Sequence, residues 1–83
     1  MTLAERTIAK QKENLRKVHN FRFEYGDTEY RMQYDGGVAE YISVYGRKKG
    51  AQVAYKYAFG FYAFGFYTDT EAIKYAKDYV VLS

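Results

Sequence analysis

Residues 21–34 read FRFEYGDTEYRMQY, two alternating runs on either side of a Gly-Asp pair. Phe21, Phe23 and Tyr25 alternate with Arg22 and Glu24. After Gly26-Asp27 the pattern resumes as Tyr30, Met32 and Tyr34 against Glu29, Arg31 and Gln33. A period of two marks strands, because successive side chains on extended backbone point to opposite faces. Glycine at the first central position of a two-residue loop suits a type II′ turn, whose twist matches that of the strands it joins. Such a turn pairs Tyr25 with Thr28, Phe23 with Tyr30 and Phe21 with Met32, and gathers the rings on one face. On the other face Glu24 meets Glu29 and Arg22 meets Arg31, like charges that only diagonal Glu–Arg neighbours would relieve. That second face is wet.

Downstream, Asp35-Gly36-Gly37 is another turn signal, and VAEYISVY from Val38 to Tyr45 is a third strand. A three-residue loop sends Val38, Ile42 and Val44 to the core with Glu40 among them; a two-residue loop sends Ala39, Tyr41 and Ser43 there. Apolar area favours the former. Gly46-Arg47-Lys48-Lys49-Gly50 reads as a basic hairpin tip, followed by a fourth strand from Ala51 with Val53, Tyr55, Tyr57 and Phe59 on one face. Both ends of the chain read as helix. Thr2 with Glu5, and Thr68 with Glu71, form capping-box pairs that accept orphan N–H groups of a first turn. Ala4, Ile8, Gln11, Leu15 and Val18 make one stripe of an amphipathic helix that ends near Lys17. Ala72, Ile73, Ala76 and Val80 make the inner stripe of the other, with Tyr75 and Tyr79 beside it. Residues 1–83 therefore read as a single compact α+β domain: an N-terminal amphipathic helix, an antiparallel meander-like sheet of four strands with room for a fifth, and a C-terminal helix.

Residues 57–67 read YAFGFYAFGFY, the pentapeptide YAFGF written twice. Five is odd, so an unbroken strand would turn Tyr57, Phe59 and Phe61 to one face and Tyr62, Phe64 and Phe66 to the other. A strand from Ala51 to Tyr67 would also reach ~55 Å, against ~30 Å for a compact chain of this length. A bulge or bend is expected at Gly60 or Gly65, where a missing Cβ costs least. Eleven tyrosines and six phenylalanines exceed what so small a core encloses. Some rings must be exposed or shared, and tyrosine tolerates this because its hydroxyl keeps a partner while its ring is covered.

Composition excludes more than it selects. The chain has no cysteine and a single histidine, His19. Ser43 sits mid-strand and Ser83 is terminal, so a catalytic triad or thiolate metal site has no raw material. His19 reads as a helix C-terminal residue favourable to the dipole. The reading is a protein that is not an enzyme, with no metal and no cofactor. The N-terminus is charged throughout and no apolar run approaches the ~18 residues a span requires, which together with the missing cysteines points to a soluble cytoplasmic protein with no membrane partner. Thirteen Lys and Arg against ten Asp and Glu leave a net charge of +3 with the two signs interleaved.

Tyr57 to Phe64, YAFGFYAF, is similar to the aromatic strand motif of RNA-recognition and cold-shock domains, with Phe59, Gly60, Phe61 and Phe64 matching it. Tyr57 and Ala58 stand where those families have a basic residue followed by glycine, and the αββββα order fits neither. The resemblance implies bases stacked on Phe59, Phe61 and Phe64, with Arg47, Lys48, Lys49 and Lys56 on phosphates. YGRKK, Tyr45 to Lys49, is also similar to the start of the arginine-rich RNA-binding segment of Tat-type transactivators, without the arginines that follow there.

Interleaved carboxylates weaken a groove that tracks phosphates and suit a surface matched to another protein. A protein-binding module that occupies a partner's surface is therefore the first expectation, with single-stranded RNA or DNA as the alternative. Tyr41, Tyr45, Arg47, Lys48, Lys49, Tyr55 and Tyr62 are its candidate contact residues. In size and style the chain looks like the small inhibitors that phages and mobile elements carry against host machinery. Homodimerisation through the aromatic strand is a further expectation.

Overall fold

In the computed structural model, which describes residues 2–83, the elements run α1 (Leu3–Arg16), β1 (Arg22–Tyr25), β2 (Thr28–Gly36), β3 (Tyr41–Lys48), β4 (Lys56–Tyr62) and α2 (Asp69–Leu82). The strands form one antiparallel sheet in the order β1-β2-β3-β4, and there is no fifth among the described residues. The α+β architecture read from the sequence is thus present, with four strands. None of the described helices is long and apolar enough to cross a membrane.

Thr2 caps α1 by accepting the Glu5 N–H, and Thr68 with Glu71 completes both halves of a capping box on α2. The first hairpin has the expected register, Tyr25 opposite Thr28 and Phe23 opposite Tyr30. Gly26 takes a φ of 60° while Asp27 stays out of the left-handed region, which is the type II′ pattern. Glu24 and Arg22 do face Glu29 and Arg31. Their relief comes from the third strand and its turn rather than from diagonal neighbours: Glu29 pairs with Arg47, its register partner on β3, and Glu24 with Lys49 at 3.1 Å.

The β2–β3 connection differs from both loops considered. β2 runs on to Gly36 with a register shift after Tyr34, and the turn takes four residues, Gly37 to Glu40. Ile42 and Val44 reach the core as expected, with Glu40 buried beside them. Val38 does not: it rides the tip of the turn and is 93% exposed.

The expected fourth strand from Ala51 starts five residues late. Arg47 Nη1 donates to the Val53 carbonyl at 3.0 Å, and its guanidinium lies 4.2 Å from the Tyr55 ring centre. These contacts tie residues 51–55 down as a loop, and Val53 stays exposed. The expected bend falls at Gly65, where the chain turns after β4, whereas the bulge lies at Ala58 and not at Gly60: Val44 faces Phe59 but Tyr45 faces Tyr57. The bulge resets parity, so Phe59 and Phe61 turn to the helices while Tyr57 joins Tyr62 on the opposite face. The second copy of the pentapeptide leaves the sheet, turns at Phe64-Gly65 and returns Phe66 to within 6.3 Å of Phe61.

Both helices cover one face. Leu15 and Val18, at the end of α1 and just beyond it, and Ala72, Ala76 and Val80 of α2 meet Met32, Ile42, Val44, Phe59 and Phe61 of the sheet, with Ala63 closing one end. The expected α1 stripe is only half used, because Ala4 and Ile8 lie beyond the sheet and are exposed. The molecule measures 48 × 24 × 15 Å.

Candidate functional site

Neither of the described helices packs against the second face of the sheet, and alternation determines what stands there. With Met32, Ile42 and Val44 pointing inward, their neighbours Arg31, Tyr41, Ser43 and Tyr45 point outward. Register then sets Arg31 opposite Tyr45, Glu29 opposite Arg47 and Tyr41 opposite Tyr62.

The rings on this face touch one another. Tyr41 and Tyr62 meet edge to face with centres 5.0 Å apart, and Tyr45 and Tyr57 do the same at 5.9 Å. The Tyr41 and Tyr57 hydroxyls are hydrogen-bonded at 2.8 Å. That bond, followed by loss of hydration and the nearby Tyr57, Tyr62 and Asp35, pushes the Tyr41 pKa up to about 12. Two guanidiniums thread the cluster: Arg31 lies 5.1 Å from the Tyr45 ring and 5.6 Å from Tyr55, and Arg47 lies against Tyr55. Glu29, by its hydrogen bond to Arg47, raises the Arg47 pKa further against partial desolvation.

Gly60 is the floor of the cluster. A Cβ there would overlap the Tyr41 hydroxyl and come within 2.7 Å of the Tyr57 hydroxyl, so the glycine lets both phenols lie across the strand.

Of the residues proposed from sequence as a partner surface, Tyr41, Tyr45, Arg47, Tyr55 and Tyr62 come together here. Tyr62 is the most open at 70% exposure. Lys49 is drawn away to Glu24. Lys48 points to the other side and shares a shallow hollow with Lys56, Thr28 and Tyr30. Two members escaped the sequence reading. Alternation alone sets Tyr57 on the face of Phe59, and only the bulge moves it. Alternation sets Arg31 on a wet charged face, and its place among the rings follows only once β3 is in register beside it.

The base-stacking set does not assemble. Phe59 and Phe61 are buried against Tyr79 and Tyr75, with ring centres 4.1 and 4.6 Å apart, so neither offers a face to a base. Phe64 is exposed at the turn, and Lys56 lies exposed at the start of β4.

His19 sits in the turn after α1, where its Nδ1 accepts the Tyr34 N–H at 3.1 Å and ties helix to sheet. Among the described residues no group of three or more His, Cys, Asp or Glu is placed to hold a metal ion. Compared with protein families, curated proteins and solved structures, the chain matches none.

Proposed function

We propose that the protein is a non-enzymatic binding module that lays its open sheet face against another protein. One observation carries the reading: Tyr41, Tyr45, Tyr57 and Tyr62 are packed in contact on that face, Arg31 and Arg47 lie between them and Tyr55, and none of the described helices covers them. Tyrosine and arginine supply large contact area with polar tips, and rings already held by neighbours lose little entropy on docking. The charge pattern favours protein over nucleic acid. Arg47 and Lys49, half of the expected phosphate clamp, are already paired with Glu29 and Glu24. A module without chemistry of its own acts by occupying what it covers. Inhibition of host machinery, in the manner of a small mobile-element protein working in the cytoplasm, is the role this suits.

The test is capture of the partner from host lysate by the immobilised chain. The double substitution Arg31→Ala with Tyr45→Ala is expected to abolish capture, whereas Val81→Ser, on exposed α2 away from the face, leaves it intact. Nuclease treatment leaves capture unchanged. Capture lost to nuclease would move the function to nucleic acid, and capture indifferent to the double substitution would remove the face from it.

A further inference from the structure

The free edge of the sheet at β4 carries an inference independent of the open face. The Ala63 N–H donates to the Glu40 carbonyl at 2.9 Å, in register with Phe61 opposite Ile42 and Phe59 opposite Val44. Backbone direction alternates along an antiparallel strand. Residues 59, 61 and 63 therefore face β3, and Gly60 and Tyr62 turn their N–H and C=O groups outward. β4 is the last strand in the sheet, and neither group finds another element of the described chain.

The two edges are protected unequally. β1 has four residues, two of them charged, in keeping with the usual defences of an edge. β4 has seven, with Lys56 and the Ala58 bulge guarding its start, but from Phe59 to Tyr62 it carries neither charge nor proline. Beneath this stretch lie Tyr79, stacked under Phe59, and Tyr75, tilted against Phe61, still 45% and 42% exposed. Edge and ring shelf are continuous.

We propose that a second copy of this chain docks there, β4 against β4 and antiparallel, to make one eight-stranded sheet. The register that satisfies all four outward residues sets Gly60 of each copy opposite Tyr62 of the other, with the two-fold axis at Phe61. Three features select a second copy over a foreign strand. An antiparallel edge is complementary to itself. A lone extended peptide would satisfy the backbone but leave Tyr75 and Tyr79 uncovered, whereas a second copy brings a matching shelf. Lastly, α2 runs antiparallel to β4, since Tyr79 lies under Phe59 and Tyr75 under Phe61. The two-fold axis at Phe61 therefore sets the Tyr75 rings of the two shelves beside each other, while Lys74 and Asp78 stay paired within each copy at 2.6 Å and bring no unpaired charge to the seam.

The experiment is light scattering of the full chain from low to high micromolar concentration, with amide exchange followed by NMR over the same range. The mass is expected to rise from one copy to two, and the Gly60 and Tyr62 amides to slow by about tenfold or more as it does. Tyr62→Pro, which deletes an outward donor, and Tyr62→Lys, which charges the edge and keeps the backbone, are both expected to hold the chain at one copy. A monomer at every concentration overturns the proposal. So does a dimer in which the Gly60 and Tyr62 amides still exchange freely, or one that persists in Tyr62→Lys. A monomer whose two amides slow only in complex with a captured protein overturns it in favour of a foreign strand.

Discussion

Gly60 shows how one missing methyl organises a surface. Because nothing stands on its Cα, two phenols lie down across β4 and share a hydrogen bond that holds the Tyr41 proton to about pH 12. Gly60→Ala is expected to lift Tyr41 away from Tyr57, and the Tyr41 ring resonances should then titrate near the ordinary value of ~10. An unchanged titration would mean that Tyr57 is not what holds the proton. Immediately before Tyr41 in the chain, Glu40 takes the uncommon φ of 53°, is buried, and accepts from the Tyr34 hydroxyl at 2.6 Å and from Lys12 Nζ at 2.5 Å. Burial first, then the bond and charge of Glu40, push the Tyr34 pKa up to about 12, with Arg16 pulling weakly the other way. Folding thus holds this proton more tightly than the unfolded chain does. The associated stability is complete below pH ~10 and is lost as pH rises toward the folded value. Denaturation midpoints measured from pH 9 to 12 should fall less steeply in Tyr34→Phe than in the parent. Some slope remains there, because Tyr41 titrates in the same direction.

At the scale of elements, local chemistry was legible and long-range chemistry was not. Both helix starts could be read because a cap is made within four residues: the Glu71 carboxylate takes the Thr68 N–H at 3.2 Å, and the Thr68 hydroxyl takes the Glu71 N–H at 3.3 Å. Thr68→Ala should cost about 1 kcal/mol, seen in urea as a lower midpoint with an unchanged slope; a change in slope would show α2 melting separately. The first hairpin was equally legible, since Gly26 fixes its register from inside the turn. The face carrying the candidate site was only partly so. Surplus tyrosine and scattered arginine single out five of its members as candidates for a contact surface. Their arrangement did not, because it depends on pairings between distant residues. Arg47 binding Val53 and Tyr55 delays β4, and the bulge at Ala58 then reverses the parity of Tyr57. No local signal separates Ala58 from Gly60 as the bulged position. Gly60, the obvious choice by backbone freedom, is spent on accommodating the phenols.

Across the whole molecule, stacking both helices on one face leaves the 48 Å length of the chain unevenly supported. α1 is ~21 Å long at the usual rise per residue, yet it touches the core only through its last turn, with Leu15 and the adjoining Val18 fully buried. Gln11 pins its middle by donating to the Phe64 and Phe66 carbonyls at 2.6 Å each, and beyond that point the helix leaves the sheet. Leu15→Ala should therefore cost 2 kcal/mol or more, up to about 5, because it opens a cavity in the core it shares with the sheet, where the side chain is fully buried. Ile8→Ala removes as large a side chain from the same stripe but from an exposed turn, and should change stability by no more than about 0.5 kcal/mol. Chemical denaturation of the two variants beside the parent measures the contrast. The sequence stripe gives both residues equal standing, so only the position of the sheet beneath the helix separates them. Equal losses would show that the first two turns of α1 are covered in solution, and the groove that Ile8 shares with Val38 and Phe64 marks where that cover would lie.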